Sequence, residues 1–193
     1  MGKRELLIIA AFAVVGMAVY RLVAPPAPDS PPGFSLSRIT EAWRNRNAPP
    51  ARATVTTAGV LAAASNLTEL RLSGLVTVNV LGETRDDVAW TLTVETNGQD
   101  EGAVQRTAEA TSLRHDDLGD VLALSIRSTG EIRQSSTLDL KVPARLVVRV
   151  ESARNTRIAG VSEVRLENLV GDTDVRRVAG SVSGAHRNGK LHV

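Results

Sequence analysis

Glycine recurs at positions 160, 171, 180 and 189, and the segment that holds these residues (RIAGVSEVRLENLVGDTDVRRVAGSVSGAHRNGKLHV, residues 157–193) leaves room only for very short strands between corners. Arg157-Ile158-Ala159-Gly160 returns twenty positions later as Arg177-Val178-Ala179-Gly180. A tight corner needs a positive φ, which glycine supplies without steric cost. Gly160, Gly171, Gly180 and Gly189 are therefore read as structural turn glycines. A chain that makes a short strand, turns, and makes another every nine to eleven residues is coiling, and two such halves predict a rung of about 18–20 residues. Stacked rungs bury a column of small aliphatics that no single rung can bury alone.

Upstream, the hydrophobic period is two. Leu138, Leu140 and Val142 alternate with polar residues until Pro143 closes the run, because proline has no N–H for a ladder. Leu146, Val148 and Val150 resume the alternation. Leu70, Leu72, Val76, Val78 and Val80 form an earlier set, and Val88, Trp90, Leu92 and Val94 another, with residues 82–87 between them as a loop. That spacing predicts an antiparallel hairpin. Residues 121–126 read as a strand, residues 97–120 as polar loop, and residues 51–66 fit strand or helix alike. Aromatics make up 3% of the chain, so the core must be aliphatic, which suits closely stacked layers.

Leu6 to Tyr20 (LLIIAAFAVVGMAVY) is uncharged and almost wholly apolar, with Lys3 and Arg4 before it. A spanning helix wants about 20 apolar residues. Pro25-Pro26 obstructs cleavage after Ala24. The expectation is an uncleaved signal anchor, with a cleaved signal peptide as the alternative, and an N-terminus held inside by its positive charge. PPAPDSPPG, residues 25–33, is a semi-rigid spacer. The division is thus 1–24 membrane anchor or signal segment, 25–33 proline-rich linker, 34–66 irregular or short helical segment, and 67–193 β-strand-repeat domain. The fold class is all-β: an N-terminal transmembrane helix, then antiparallel strands leading into a short β-solenoid-like repeat. The implied location is the cytoplasmic (inner) membrane, single-pass, with the C-terminal domain in the periplasm or cell exterior.

The run LDLKVPARLVVRVESARNTRIAGVSEVRLENLVGDTDVRRVAGSV resembles the bacterial putative-adhesin family of β-strand repeats, a family of unknown function, over about residues 66–193. The resemblance rests on Val142-Pro143, the alternating strand after it, and the glycine-cornered repeats. It implies an extracytoplasmic β-rich domain without catalytic residues. Chains of that family continue through further rungs, whereas this sequence stops at Val193, and an open last rung would self-associate through its C-terminal edge.

Chemistry-bearing motifs are sparse. With no cysteine, thiolate metal sites and cysteine nucleophiles are excluded. His115-Asp116-Asp117 with Asp120 lies in a polar stretch without further ligand groups, and His186 and His192 are too few for zinc. Ser181 and Ser183 lie near His186 with no aspartate placed to orient it. The expectation is no enzyme, no metal and no cofactor. Charge is asymmetric: residues 34–137 carry 10 Lys/Arg and 13 Asp/Glu, residues 138–193 carry 10 and 6. The basic half lacks the stacking aromatics of a nucleic-acid binder. Arg145, Arg149, Arg157, Arg165 and Arg177 form instead a candidate anion-contacting face. The functional expectation is a membrane-anchored extracytoplasmic β-repeat protein with a structural, adhesive or binding role. The alternative is an extracytoplasmic enzyme or binding protein acting on envelope polysaccharide.

Overall fold

The computed structural model describes residues 50–128 and 133–193. In chain order the elements are β1 (Ala51–Ala62), β2 (Glu69–Ser73), β3 (Leu75–Glu83), β4 (Asp87–Gly98), α1 (Glu101–Ala110), β5 (Ser112–Asp117), β6 (Val121–Arg127), β7 (Arg133–Pro143), β8 (Val147–Val150), β9 (Ala153–Ala159), β10 (Glu163–Val170), β11 (Thr173–Arg176), β12 (Val182–Asn188) and β13 (Leu191–His192). They build two sheets. One has seven strands in the order β1-β4-β7-β3-β9-β11-β13, the other six in the order β12-β10-β8-β2-β6-β5.

Consecutive strands form rungs that switch from the six-stranded to the seven-stranded sheet. Five rungs stack in parallel register, in the order β6–β7, β2–β3, β8–β9, β10–β11 and β12–β13. Antiparallel pairing is confined to one end of the stack, where β4 runs against β7, β1 against β4 and β5 against β6. The stack order departs from the chain order. The first rung laid down, β2–β3, lies between β6–β7 and β8–β9.

Alternation fixes which side chains meet. Inside the six-stranded sheet, Leu122, Leu70, Val148 and Val164 lie level across neighbouring strands, and Leu124, Leu72, Val150 and Leu166 form the next row. Facing them, Leu92, Leu138, Val78, Thr156 and Thr173 make one row, and Trp90, Leu140, Val80, Ile158 and Val175 another. All of these except Trp90 are buried. The core is mainly aliphatic, as a period-two chain poor in aromatics dictates, with Thr156 and Thr173 as buried polar members of one row.

Several sequence-based expectations need correction. No helix of the described residues is long and apolar enough to cross a membrane. Their single helix, α1, has ten residues, against about 20 for a span, so the described residues form an all-β fold that holds no transmembrane helix. The apolar run at residues 6–20, the spacer at 25–33 and the part of the 34–66 segment up to residue 49 lie outside the described residues. The hairpin expected from residues 70–94 does not form, because β7 inserts between β3 and β4 and pairs with both. Residues 97–120 are not loop. Asp100 caps α1 by accepting from the amide of Ala103 at 3.0 Å, Glu101 favours the first turn, and Val104, Thr107 and Ala108 bury one face. Thr96 on β4 ties the helix down, its hydroxyl donating to the Val104 carbonyl at 2.9 Å.

The coil itself is shorter per turn than the glycine spacing suggests. Ile158 stacks on Val175, seventeen positions on, while Val148 to Val164 is sixteen and Val164 to Val182 eighteen. Arg157-Ile158-Ala159-Gly160 and Arg177-Val178-Ala179-Gly180 are thus not equivalent. Ile158 is a core residue of β9, whereas Val178 follows the end of β11. The repeat that does stack is Glu69-Leu70-Arg71-Leu72, Val147-Val148-Arg149-Val150-Glu151 and Glu163-Val164-Arg165-Leu166-Glu167.

Gly160, Gly171 and Gly189 have φ of 73°, 97° and 117°. Gly180 is not among the positive-φ residues, but its amide donates to the Ser162 carbonyl of the preceding rung at 2.7 Å. The amide of Gly171 likewise donates to Asn188 at 2.7 Å.

Candidate functional site on the outer sheet faces

Each strand of the seven-stranded sheet sends alternate residues outward, and register aligns them in rows about 4.8 Å apart from strand to strand. One row is Thr56, Thr93, Thr137, Thr77 and Asn155. The next is Thr91, Asp139, Asn79, Arg157, Asp174 and His192, and the third is Val60, Ala89, Lys141, Leu81, Ala159 and Arg176. The second and third rows floor a groove of about 480 Å³ that crosses β4, β7, β3, β9 and β11. It exists because small residues (Ala89, Thr91, Ala159) lie among long ones.

The polar groups of the groove are unequally engaged. Asn79 donates to Asp139 at 2.7 Å and keeps a buried carbonyl oxygen without a hydrogen-bond partner. Arg176 holds Asp174 through two contacts of 2.8 Å, and Lys141 reaches Glu83 at 3.7 Å. Arg157, exposed at the centre of the polar row, is in no ion pair among the described residues. Asp139 and Asp174 are three strands apart, about 14 Å at the usual strand spacing. Paired-carboxylate hydrolysis needs about 5–9.5 Å, so these two cannot act on one glycosidic bond.

The outer face of the six-stranded sheet is organised differently. Arg71, Arg149 and Arg165 stack directly, one per rung. Glutamates flank them on both sides. Arg71 contacts Glu69 at 3.2 Å and Glu151 at 3.4 Å; Arg149 contacts Glu167 at 2.6 Å; Arg165 contacts Glu163 at 2.9 Å and Glu69 at 3.8 Å. The hydrogen bond from Arg165 to Glu163 raises the guanidinium pKa above its ordinary value. Three cations thus stand among four carboxylates, and the ladder carries no surplus positive charge.

The five arginines singled out from sequence therefore do not share one face. Arg149 and Arg165 are neighbours in the neutralised ladder, and Arg157 lies on the opposite sheet. Arg145 follows β7 and lies 3.5 Å from Asp86, and Arg177 occupies a corner at φ 52°. Sequence reasoning missed Arg71, Asn79, Asp139 and Asp174. A signal existed: Asn79-Val80-Leu81, Asp139-Leu140-Lys141, Arg157-Ile158-Ala159 and Asp174-Val175-Arg176 share an outward–inward–outward pattern. Of the acidic stretch, Asp116 pairs with Arg114 at 3.4 Å, and Asp117 accepts from the Gly119 amide at 3.0 Å. No three His, Asp or Glu side chains converge among the described residues.

At the start of β4, Asp87 accepts from Arg85 at 2.7 Å. This hydrogen bond, ahead of the charge attraction, holds the Asp87 carboxyl below its ordinary pKa. A depressed folded pKa contributes stability above the unfolded carboxylate range that is lost as pH falls through the folded value. An NMR titration of Asp87 should therefore show a midpoint below that of a free aspartate, moving upward in Arg85→Gln. An unmoved midpoint would rule the pair out as the cause.

No protein-family model matches the chain, and no curated protein matches it. Among solved structures, a putative cell adhesion protein from Clostridium sporogenes aligns with TM-score 0.37 at 9% identity, over 75% of this chain and 96% of that one. A putative adhesin from Parabacteroides distasonis aligns with TM-score 0.30 at 11% identity, over 72% and 73%. Another from Parabacteroides merdae aligns with TM-score 0.29 at 9% identity, over 76% and 73%. Such low scores carry no weight for what this chain does.

Proposed function

We propose that the domain is a non-catalytic binding module whose ligand is an extended chain rich in hydroxyls and carboxylates, an acidic polysaccharide, laid along the groove of the seven-stranded sheet. The observation that carries this reading is Arg157, an unpaired guanidinium on β9, the fourth of the five strands that the open groove crosses. Its planar fork matches a carboxylate bidentately. The threonine row beside it offers hydroxyl contacts along the same direction. A long shallow groove with no pair of carboxylates at catalytic distance supports holding a polymer rather than cleaving it. An adhesive role, contact with a surface made of such polymers, follows from the same geometry.

The test is calorimetry of the full chain with polygalacturonate. Binding should weaken as salt is raised, because the Debye length is about 8 Å at physiological ionic strength. Arg157→Ala should reduce affinity about tenfold or more, the range for a hydrogen-bonded charge. Uncharged dextran should bind no better than polygalacturonate binds the variant. Equal affinity of Arg157→Ala and the unaltered chain would end this reading.

A further inference from the structure

Two sheets have four edges, and three of them are blunted. At one end of the seven-stranded sheet, β13 is only two residues long. At the same end of the six-stranded sheet, β12 pairs with β10 through two register shifts, so its outer edge is twisted. At the other end, β5 (SLRHDD) carries Arg114, His115, Asp116 and Asp117 in succession. These are the devices by which natural sheets avoid edge-to-edge pairing: short strands, bulges and charge.

The fourth edge has none of them. β1 (ARATVTTAGVLA) runs twelve residues in unbroken register with β4, and Arg52 is its only charge. Residues 53–62 are uncharged, free of proline and rich in β-branched side chains. Val60 is 62% exposed on the outer face. Helix α1 is tied to the inner side of this region through Thr96, and among the described residues no strand covers the free edge of β1.

We propose that β1 pairs with β1 of a second copy of this chain, antiparallel about a two-fold axis near Thr56–Thr57, joining the two seven-stranded sheets. The uncharged edge selects against a charged partner and imposes no like-charge contact on itself. In this alignment Arg52 and its symmetry mate lie at opposite ends, about 30 Å apart at 3.4 Å per residue. A two-fold pairing consumes both edges and stops at the dimer. The interface is independent of the groove, and its observations do not involve Arg157.

Because the chain has no cysteine, a covalent test is unambiguous. In the full chain, Thr56→Cys with Ala58→Cys should give a disulfide dimer under mild oxidation, far faster than Leu118→Cys, an exposed site remote from β1. Thr56→Lys with Ala58→Lys sets like charges opposite each other in either face-matching register. It should weaken the dimer about tenfold, the sum of a few such contacts. Both positions are exposed, and an unchanged circular dichroism spectrum separates lost pairing from lost folding. Cross-linking no faster than for Leu118→Cys would overturn the proposal. So would association that survives the lysines but is lost in Leu191→Lys, since that places the contact at the C-terminal edge.

Discussion

Gly82→Ala is expected to destabilise the domain by about 3 kcal/mol or more, the upper range for forcing extra volume into a packed interior. Gly82 lies in β3, opposite Val142 of β7, and its backbone requires no left-handed conformation. The cause is contact. A Cβ there would lie 2.0 Å from the carbonyl oxygen of Gly160 and 2.5 Å from its carbon. Neither is the tip of a flexible side chain, so two rungs must separate for one methyl. Gly74→Ala is the control: its φ is +66°, but nothing lies within 4 Å of the added carbon. It should cost only the left-handed strain, about 1–2 kcal/mol. Denaturant unfolding of both variants tests this. Equal losses, or a larger loss at Gly74, would show that the Gly82–Gly160 approach is not a tight constraint.

The same approach separates what was legible in the sequence from what was not. The inward residues were legible, because Leu70, Leu72, Val78, Val80, Leu138, Leu140, Val148 and Val150 alternate with polar neighbours, and only one face of a strand can be buried. Gly160, Gly171 and Gly189 take the positive φ that a corner was expected to need, whereas Gly180 does not. Gly82 was not legible, since it lies among loop-like residues and its neighbour is 78 positions away.

The stacking order was hidden too. Nothing local to β3 and β4 says that β7 will insert between them, and parallel pairing depends on contacts that alternation does not encode. The apparent twenty-residue repeat misled because Arg177-Val178-Ala179-Gly180 resembles β9 in letters while lying beyond β11. The pattern of an arginine between two aliphatics (Leu70-Arg71-Leu72, Val148-Arg149-Val150 and Val164-Arg165-Leu166), which does stack, was present, and its return from Arg149 to Arg165 would have given the rung length directly. Helix α1 was equally available from Asp100-Glu101 followed by Val104 and Ala108. For the site, single-strand reading groups arginines by sequence proximity, whereas the groove draws two outward residues from each of five strands.

Leu72→Ala is expected to cost about 3 kcal/mol, within the 2–5 kcal/mol typical of a fully buried leucine. For a domain of this size that lowers Tm by roughly 10 °C, at about 3 °C per kcal/mol. The magnitude follows from position. β2 is the first strand of the coil in the chain, yet it is interior to its sheet, with β6 on one side and β8 on the other. Leu72 is 0% exposed and lies level with Leu124 and Val150. No other strand can slide over to close the space its side chain would leave, because both neighbours are held in register by their own rungs. Leu191 gives the contrast. It lies on the two-residue edge strand β13 and is 46% exposed, so Leu191→Ala should change stability by less than about 0.5 kcal/mol. If β2 were instead the outer strand its early place in the chain suggests, the two losses would be of similar size. Thermal unfolding of Leu72→Ala and Leu191→Ala, side by side, decides between those stackings.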